Sequence, residues 1–496
     1  MNAAVEVETR KPAGYCPAAE PPPLVVDLDG TLVKTDLLLE TVLLLLKQAP
    51  WRILSLPFWL ARGRAYFKHE VARRVTLDVT CLPYRAELLD YLKAQRAQGR
   101  TLVLATSADK AIAQPVADHL KLFDAVLSSD GATNLSGEAK RALLVTEYGE
   151  RGFDYVGNGP DDLPVWMSAR QGIAAADGRH LLSKIARIPQ VSRAFDGRRT
   201  GEGRRTGIID RLKVLRPQHW MKNVLIFVPL LAAHRTNEFA LLGKSLVGFL
   251  AFGLVASSGY LMNDLLDLQS DRHHPHKRLR AFAAGDLPLT YALLTIPVLF
   301  GLGSVVAKLV SDMFLAAVWT YFAMTLIYSL YVRRIVILDV IFLASLYTLR
   351  LLAGSAAVLI WPSHWLLALS TFLFFSMALV KRYGELAVMK RIDGDGATAR
   401  AYELSDAELL AAMGVASGYL GVLVLALYIN SDKAQVLYGR YQLMWFLCPL
   451  LLYWISHVWL IAHRGRMPDD PVTFALHDRT SWILVALIVA ISVLAL

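Results

Sequence analysis

The second half of this 496-residue chain is a succession of long apolar stretches, and nothing else in the sequence limits its fold as strongly. Runs near 218–234, 240–262, 288–308, 312–331, 335–358, 363–381, 408–429, 441–462 and 480–496 carry few charges. A hydrocarbon core about 30 Å thick takes roughly 20 helical residues to cross, and backbone within it must satisfy its own hydrogen bonds. The nine runs are therefore expected as nine transmembrane helices. Lysine and arginine crowd the loops after the second, fourth, sixth and eighth runs, whereas the loops on the other side hold only Arg235, Lys433 and Arg440. By the positive-inside rule the basic loops and the N-terminal third face the cytosol. The expectation is an integral protein of the cell (inner) membrane with nine spans.

The second run closes on Asn263-Asp264-Leu265-Leu266-Asp267-Leu268-Gln269-Ser270-Asp271 and passes straight into a basic stretch, Arg272 to Arg280. On one helix, Asn263, Asp264, Asp267 and Asp271 would lie within about 100° of one another. Three carboxylates on one face repel each other, at high cost near hydrocarbon, unless a cation sits among them. Hard oxygen donors at this spacing suit Mg²⁺, which completes its shell from water and substrate phosphates. Lys277 and Arg278 in the basic stretch would hold the outer phosphate oxygens. A solvated helix end with mixed charges is the structural alternative.

This spacing resembles the first aspartate-rich motif, N-D-x-x-D-x-x-x-D, of the UbiA-type intramembrane prenyltransferase superfamily. The resemblance implies nine helices around a cavity, with two acidic motifs holding a diphosphate through Mg²⁺. It makes Asn263, Asp264, Asp267 and Asp271 metal ligands, with Asp264 and Asp267 at the catalytic centre. A counterpart site falls on the fifth run: Tyr328 and Arg333 precede it, and Asp339 and Arg350 lie within it, about 20° apart around a helix. Asp339 and Arg350 could thus face one cavity, or simply neutralise each other. The family's second motif is usually D-x-x-x-D, and here Leu343 stands in place of the later acid.

Four segments resemble the decaprenyl-phosphate phosphoribosyltransferase branch of that superfamily. They are the stretch from Leu215 through Arg216, Lys222 and Asn223 to Val224, Asp271 to Arg278, Lys381-Arg382-Tyr383-Gly384-Glu385-Leu386, and Arg464 to Pro471. In that branch the donor is phosphoribosyl pyrophosphate and the acceptor a polyprenyl phosphate. The product is a precursor of lipid-linked pentose for cell-envelope glycans. Arg216, Lys222, Asn223, Lys277, Arg278, Tyr328, Arg333, Asp339, Arg350, Lys381 and Arg382 become candidates for the donor and acceptor phosphates. Two other readings stay open: a prenyltransferase acting on an aromatic acceptor, and a non-catalytic membrane protein with a regulatory head.

The N-terminal third reads differently. Leu24-Val25-Val26-Asp27-Leu28-Asp29-Gly30-Thr31-Leu32 is a short buried-type strand ending in two acids and a glycine turn. A second strand, 101–105, ends in Thr106-Ser107. Lys140 lies in a helical stretch, and Phe153 to Gly157 leads to Asn158-Gly159-Pro160-Asp161-Asp162. Open α/β folds keep their sites at such strand ends. In this order the four segments resemble the motifs of the haloacid dehalogenase superfamily over residues 22–178, which implies a Rossmann-like phosphatase domain. The resemblance makes Asp27 the nucleophile, Asp29 the general acid and base, Thr106 and Lys140 the phosphoryl-holding residues, and Asp27, Asp29 and Asp162 the Mg²⁺ ligands. The fourth motif usually begins Gly-Asp, and here it begins Gly157-Asn158. An insertion over about 36–98 has a helical pattern and reads as a cap, its Trp51 to Leu60 stretch either resting on the bilayer interface or forming a buried core.

The remaining segments connect these parts. Residues 1–21 are expected as a disordered lead with no apolar signal core. Residues 179–209 are expected as a flexible basic linker, and 210–496 as the transferase domain. Three cysteines, Cys16, Cys81 and Cys448, have no ligand-like spacing, which argues against a disulfide framework or a zinc site. The formal net charge of +10 fits a membrane surface and phosphate-bearing substrates, with no nucleic-acid-binding signature. A homo-oligomer is compatible with all of this.

Overall fold

The computed structural model describes residues 21–175, 191–195, 207–392, 402–467 and 471–496. Most of the expected lead and linker lies outside them. The chain divides into two compact units: one runs up to Arg205 and includes Leu268–Pro288, the other comprises Thr206–Asp267 and Leu289–Leu496.

The first unit is an α/β sandwich. In chain order it runs β1 (Leu24–Val26), α1 (Leu37–Gln48), α2 (Leu56–Ala61), α3 (Arg64–Ala72), α4 (Ala86–Ala97), β2 (Leu102–Asp109), α5 (Lys110–Leu120), β3 (Ala125–Ser129), α6 (Glu138–Tyr148), β4 (Asp154–Gly157), α7 (Leu163–Ser168), β5 (Gly172–Ala175) and β6 (Val191–Phe195). The strands are all parallel in the order β3-β2-β1-β4-β5-β6. Strand β6 falls inside the stretch expected as linker, so the sheet extends beyond residue 178. Strand sequences such as Leu-Val-Val and Leu-Val-Leu-Ala are apolar at every position because helices cover both faces. Leu24 pairs in register with Leu102, and both pack with Leu88 and Leu92 of α4 and Ile112 and Val116 of α5. Val25 pairs with Val103 and Tyr155, and these pack on the other face with Leu144 of α6 and Trp166 of α7. The insertion after β1 is helical, as its pattern predicts. Its own core is small (Leu45, Trp59 and Val71), while Trp51, Ile53, Leu54, Phe58 and Leu60 stay exposed. The buried-core expectation for that stretch therefore holds only for Trp59.

Leu268–Pro288, expected within the transferase domain, packs into this first unit. A long-range buried ion pair joins it to α1. The Arg272 guanidinium donates to both Glu40 oxygens, at 2.8 and 2.6 Å, and through Nε to the Ala283 carbonyl at 3.0 Å. The Thr35 hydroxyl also donates to Glu40. Phe282, Ala283 and Leu287 are buried around the pair. Gly285 sits at φ +73°, and a Cβ there would come within 2.8 Å of the Lys34 Cβ, so glycine is needed at this crossing.

The second unit is a helix bundle: α8 (Phe239–Leu266), α9 (Leu289–Val310), α10 (Asp312–Leu330), α11 (Leu338–Val358), α12 (His364–Ile392), α13 (Ala407–Ile429), α14 (Leu447–His463) and α15 (Arg479–Ala495). Among the described residues seven helical segments, α8 to α14 with their flanking turns, are long and apolar enough to cross a membrane. The last expected span, α15, has 17 residues. The first expected span is not one helix: Pro217–Phe227 is a 3₁₀ stretch that runs into a short α-helix, Val228–Ala232. Pro229 supplies no N–H and its ring excludes the carbonyl four residues back, so a continuous α-ladder breaks there. Gly354 of α11 lets the backbone of Ile226 lie against the helix, the close approach that small residues permit between membrane segments.

Removing one partner of a buried ion pair costs about 3–5 kcal/mol because the other charge stays buried. Glu40→Ala should therefore release Leu268–Pro288, seen as lost hydrogen-exchange protection there while β1 and β2 keep theirs. Unchanged protection would show that Phe282 and Leu287 hold the segment without the charge pair.

Candidate functional site

In the first unit the side chains that carry chemistry gather at the C-terminal ends of β1, β2 and β4. The strand order reverses between β1 and β4, the place where open parallel sheets leave a crevice. A cleft of about 210 Å³ lies there, lined by Asp27, Asp29, Lys68, Ser107, Lys140 and Asp162 among others. Asp27 follows β1 directly, and its N–H still pairs with the Val156 carbonyl at 3.0 Å, which fixes its position. One Asp27 oxygen accepts from Lys140 Nζ at 2.7 Å and the other from the Thr31 hydroxyl at 3.0 Å. Lys140, near the start of α6, also donates to the Tyr155 hydroxyl at 3.0 Å and lies 3.8 Å from Asp162. Tyr155 in turn donates to Asp162 Oδ1 at 2.6 Å. The N–H groups of Asn158 and Gly159 donate to Asp162 Oδ2 at 2.8 and 3.1 Å.

The electrostatics follow from burial. Burial raises the Asp27 carboxyl above its ordinary range, and Lys140 offsets only part of that. Asp29, whose Oδ1 accepts from the Leu37 N–H at 2.9 Å, is pushed up to about 7 by burial and then by Asp36 and Asp27. For Lys140 burial works downward, but Asp27 and Asp162 outweigh it and the ammonium is held above its usual value. Burial and the neighbouring Asp162 keep the Tyr155 hydroxyl protonated, so it stays a donor. The cleft thus gathers hard carboxylate oxygens from Asp27, Asp29, Asp36, Asp161 and Asp162 around two ammonium groups, a donor set that could hold Mg²⁺.

Thr106, expected to hold phosphoryl oxygens, is fully buried, and its hydroxyl accepts from the Ala108 N–H at 3.0 Å. Ser107 faces the cleft in its place, because side chains alternate along β2. Asn158 turns its carboxamide against Gly30. Three residues that sequence reasoning did not single out belong here: Thr31, Tyr155 and Lys68. Lys68 Nζ, which donates to the Ser107 carbonyl at 2.7 Å and to Asn134 at 2.8 Å, comes from the insertion, where no motif flags it. Burial holds its ammonium below the usual lysine value.

The acidic motif does not lie on one helix. Asn263 and Asp264 end α8, Asp267 is its C-cap, and a fresh helix, Leu268–His273, carries Asp271 into the first unit. Each carboxylate is answered by an arginine: Asp264 by Arg216, Asp267 by Arg333, and Asp271, within the first unit, by Arg280, all at 2.6 Å. Asn263 accepts from the Ser329 hydroxyl. The basic stretch after the motif is put to other uses than sequence suggests, with Arg272 on Glu40, Lys277 half-buried and Arg278 exposed.

Asp339 and Arg350 do not meet. Their spacing gives a common helical face, but eleven residues also separate them by about 16 Å along the axis. Asp339, fully buried, accepts from Arg382 Nε and the Tyr402 hydroxyl, both at 2.6 Å. Arg382 reaches on to Tyr328 at 2.6 Å and Glu385 at 2.7 Å, and Lys381 lies half-buried beside it. Next to this cluster Ile337 sits at φ +67°, a strained region for a β-branched residue, its N–H held by Tyr402 at 2.8 Å. Arg350 instead donates to Asn223 at 3.2 Å, Tyr321 at 2.9 Å and the Leu346 carbonyl at 2.6 Å. Lys222 Nζ lies over the Tyr347 ring, 5.8 Å from its centroid, and Arg350 over the same ring at 5.4 Å.

Membrane-length helices and paired acids at the end of α8 accord with the match of residues 224–477 to the UbiA prenyltransferase family, and the chain belongs to that family. Three relatives narrow the comparison. An uncharacterized protein of Sinorhizobium fredii, y4nM, is 35% identical over 477 residues, 96% of this chain and 91% of its own. The nodulation protein NoeC of Azorhizobium caulinodans is 36% identical over 270 residues, 54% of this chain and 88% of its own. Decaprenyl-phosphate phosphoribosyltransferase of Mycobacterium tuberculosis is 30% identical over 279 residues, 55% of this chain and 89% of its own.

The raised Asp29 carboxyl has a consequence for stability. Folded Asp29 keeps its proton up to about 7, whereas in the unfolded chain it loses the proton near 3.9. Between these values the native state binds more protons, so stability falls as pH rises. In chelator, the unfolding temperature should fall from about pH 5 to about pH 7, and less steeply in Asp29→Asn. Equal slopes in scanning fluorimetry would place the titration elsewhere.

Proposed function

We propose that the membrane unit transfers a 5-phosphoribosyl group from phosphoribosyl pyrophosphate to a polyprenyl phosphate. The observation that carries this reading is the pairing of Asp264 with Arg216 and Asp267 with Arg333 at the end of a membrane-length helix. Carboxylates suited to a hard cation and guanidinium forks suited to phosphate stand side by side there. Mg²⁺ held by Asp264 and Asp267 would neutralise the departing pyrophosphate. A lipid phosphate oxygen attacks ribose C1, the bond from C1 to the pyrophosphate oxygen breaks, and pyrophosphate leaves with the electron pair. A phosphate monoester is largely ionised at neutral pH, its second pKa being about 6, so the acceptor needs no dedicated base. Arg216 and Arg333 supply charge-assisted bonds to donor oxygens. Arg350 is available to a further anionic group, because its described hydrogen bonds all go to neutral acceptors. The relatives named decaprenyl-phosphate phosphoribosyltransferase support this choice of donor and acceptor.

In the same reading the first unit is a phosphatase of the haloacid dehalogenase type that removes the 5-phosphate from the lipid-linked ribose. Asp27 attacks phosphorus and becomes phosphorylated while Lys140 holds the phosphoryl oxygens. Asp29, with a carboxyl near neutrality, gives its proton to the departing ribose oxygen and then takes one from the hydrolytic water. Mg²⁺ on Asp27 and Asp162 would cancel the repulsion between carboxylate and phosphate. Covalent linkage to the transferase raises the effective concentration of the product to be hydrolysed.

The family's own description favours a second reading, transfer of a prenyl group to an aromatic acceptor. Purified protein given labelled phosphoribosyl pyrophosphate, polyprenyl phosphate and Mg²⁺ separates the two: label enters the lipid fraction only in the first.

Loss of one electrostatic contact to a developing charge costs about 10²-fold or more in rate. Asp267→Asn should therefore reduce lipid labelling by at least that factor while the protein stays inserted, and near-normal turnover would remove Asp267 from the site. Asp27→Asn should leave total lipid-linked ribose constant and shift it to the 5-phosphorylated form, measured by mass spectrometry of the lipids. An unchanged ratio of the two lipids would favour a regulatory head, the reading to which Asn158 points.

A further inference from the structure

The segment Leu268–Pro288 completes a second set of ligand atoms in the first unit, none of them from the residues lining the carboxylate cleft. The Asp78 carboxylate, Cys81 Sγ and the His273 ring offer donor atoms that all lie within 4.8 Å of one another. His273 Nε2 is 2.8 Å from Asp78 Oδ2. We propose that Asp78, Cys81 and His273 bind a single transition-metal cation of the zinc type, with solvent completing the shell.

Local structure explains why these atoms converge. Asp78 caps a one-turn 3₁₀ helix, Val79–Cys81, and three residues per turn place positions 78 and 81 one above the other. The other Asp78 oxygen accepts from the Thr80 N–H at 3.0 Å and the Thr80 hydroxyl at 2.6 Å. Those bonds orient the carboxylate and leave Oδ2 on the histidine side, the support that metal-bound carboxylates commonly have. His273 arrives from 195 positions away in the chain. Its backbone is fixed because the preceding residue, Arg272, is locked onto Glu40 in the buried interior.

The donor types select the metal. Thiolate, imidazole and carboxylate together suit Zn²⁺ or its neighbours, whereas Mg²⁺ prefers oxygen donors. Three protein ligands with an open fourth position is a common zinc arrangement. Metal–ligand bonds of about 2.0–2.3 Å put tetrahedral ligand atoms about 3.5 Å apart, so His273 Nε2 and Asp78 Oδ2, now 2.8 Å apart, need to separate slightly while atoms lying farther apart close by roughly 1 Å. His273 is exposed, which gives the cation a path from solution. Burial keeps the Cys81 thiol protonated in the metal-free protein, so binding releases that proton and tightens as pH rises. A bound cation would pin Leu268–Pro288 to the insertion that carries Asp78 and Cys81.

The test uses the full chain in detergent, with Cys16→Ser and Cys448→Ser so that Cys81 is the sole thiol. After chelation, Co²⁺ is titrated and the thiolate-to-cobalt charge-transfer band and visible ligand-field bands are followed. The expected result is saturation at one equivalent with a thiolate band, displacement by Zn²⁺, and no displacement by excess Mg²⁺. Cys81→Ser should abolish the band, and Asp78→Asn or His273→Gln should weaken binding roughly ten-fold or more. Failure of the sole-thiol protein to show a stoichiometric thiolate–cobalt band overturns the proposal. So does a band of unchanged affinity in His273→Gln, because the thiol would then be binding without the histidine that completes the set.

Discussion

A carboxylate taken out of water costs several kcal/mol unless a cation answers it within hydrogen-bond reach. This chain meets that demand repeatedly, with partners drawn from distant parts of the sequence. Asp27 meets Lys140, Asp154 meets Arg100 and Arg170, Glu40 meets Arg272, Asp264 meets Arg216, Asp267 meets Arg333, and Asp339 meets Arg382. The apolar layers set the general architecture, but these pairs fix which segments lie together. Replaced by apolar pairs of similar volume, several would cost little.

The two polar centres on α11 differ in the way their charge is answered. Asp339 and Arg382 satisfy each other and are closed in by Tyr328, Tyr402 and Glu385. Arg350 is held by an amide, a phenol, a carbonyl and the faces of Phe252, Tyr321 and Tyr347. Ring faces and dipoles stabilise a cation without cancelling its charge, so its field is still available to an anion.

Much of the fold was legible because periodicity is local. The apolar runs behind α8 to α14 and the strand before Asp27 are visible in a few residues each. The convergence of Asp27, Lys140 and Asp162 was legible too, because each closes or follows a recognisable segment. Height and partner choice were not. Asp339 and Arg350 share a face by arithmetic, yet the residues that reach them, Arg382 and Asn223, come from other elements. Lys68 lies in an insertion with no motif, and Thr106 and Ser107 exchanged places because strand alternation, not residue type, decides which one faces the cleft. Arg216 and Arg333 could be named as candidates, but their assignment to Asp264 and Asp267 needed tertiary structure. Cysteine spacing gave no sign of a ligand set, since His273 is nowhere near Cys81 in sequence.

The Arg272–Glu40 pair also imposes an order on biosynthesis. Glu40 leaves the ribosome well before its counter-charge, which arrives 232 positions later. By then the whole of α8 has been made and needs a bilayer. The N-terminal unit is therefore begun first and finished second: its sheet can assemble early, but a buried carboxylate waits unneutralised until the first long membrane helix has been delivered. Insertion of α8 thus becomes a checkpoint for maturation of a domain among whose described residues no helix is long and apolar enough to cross a membrane.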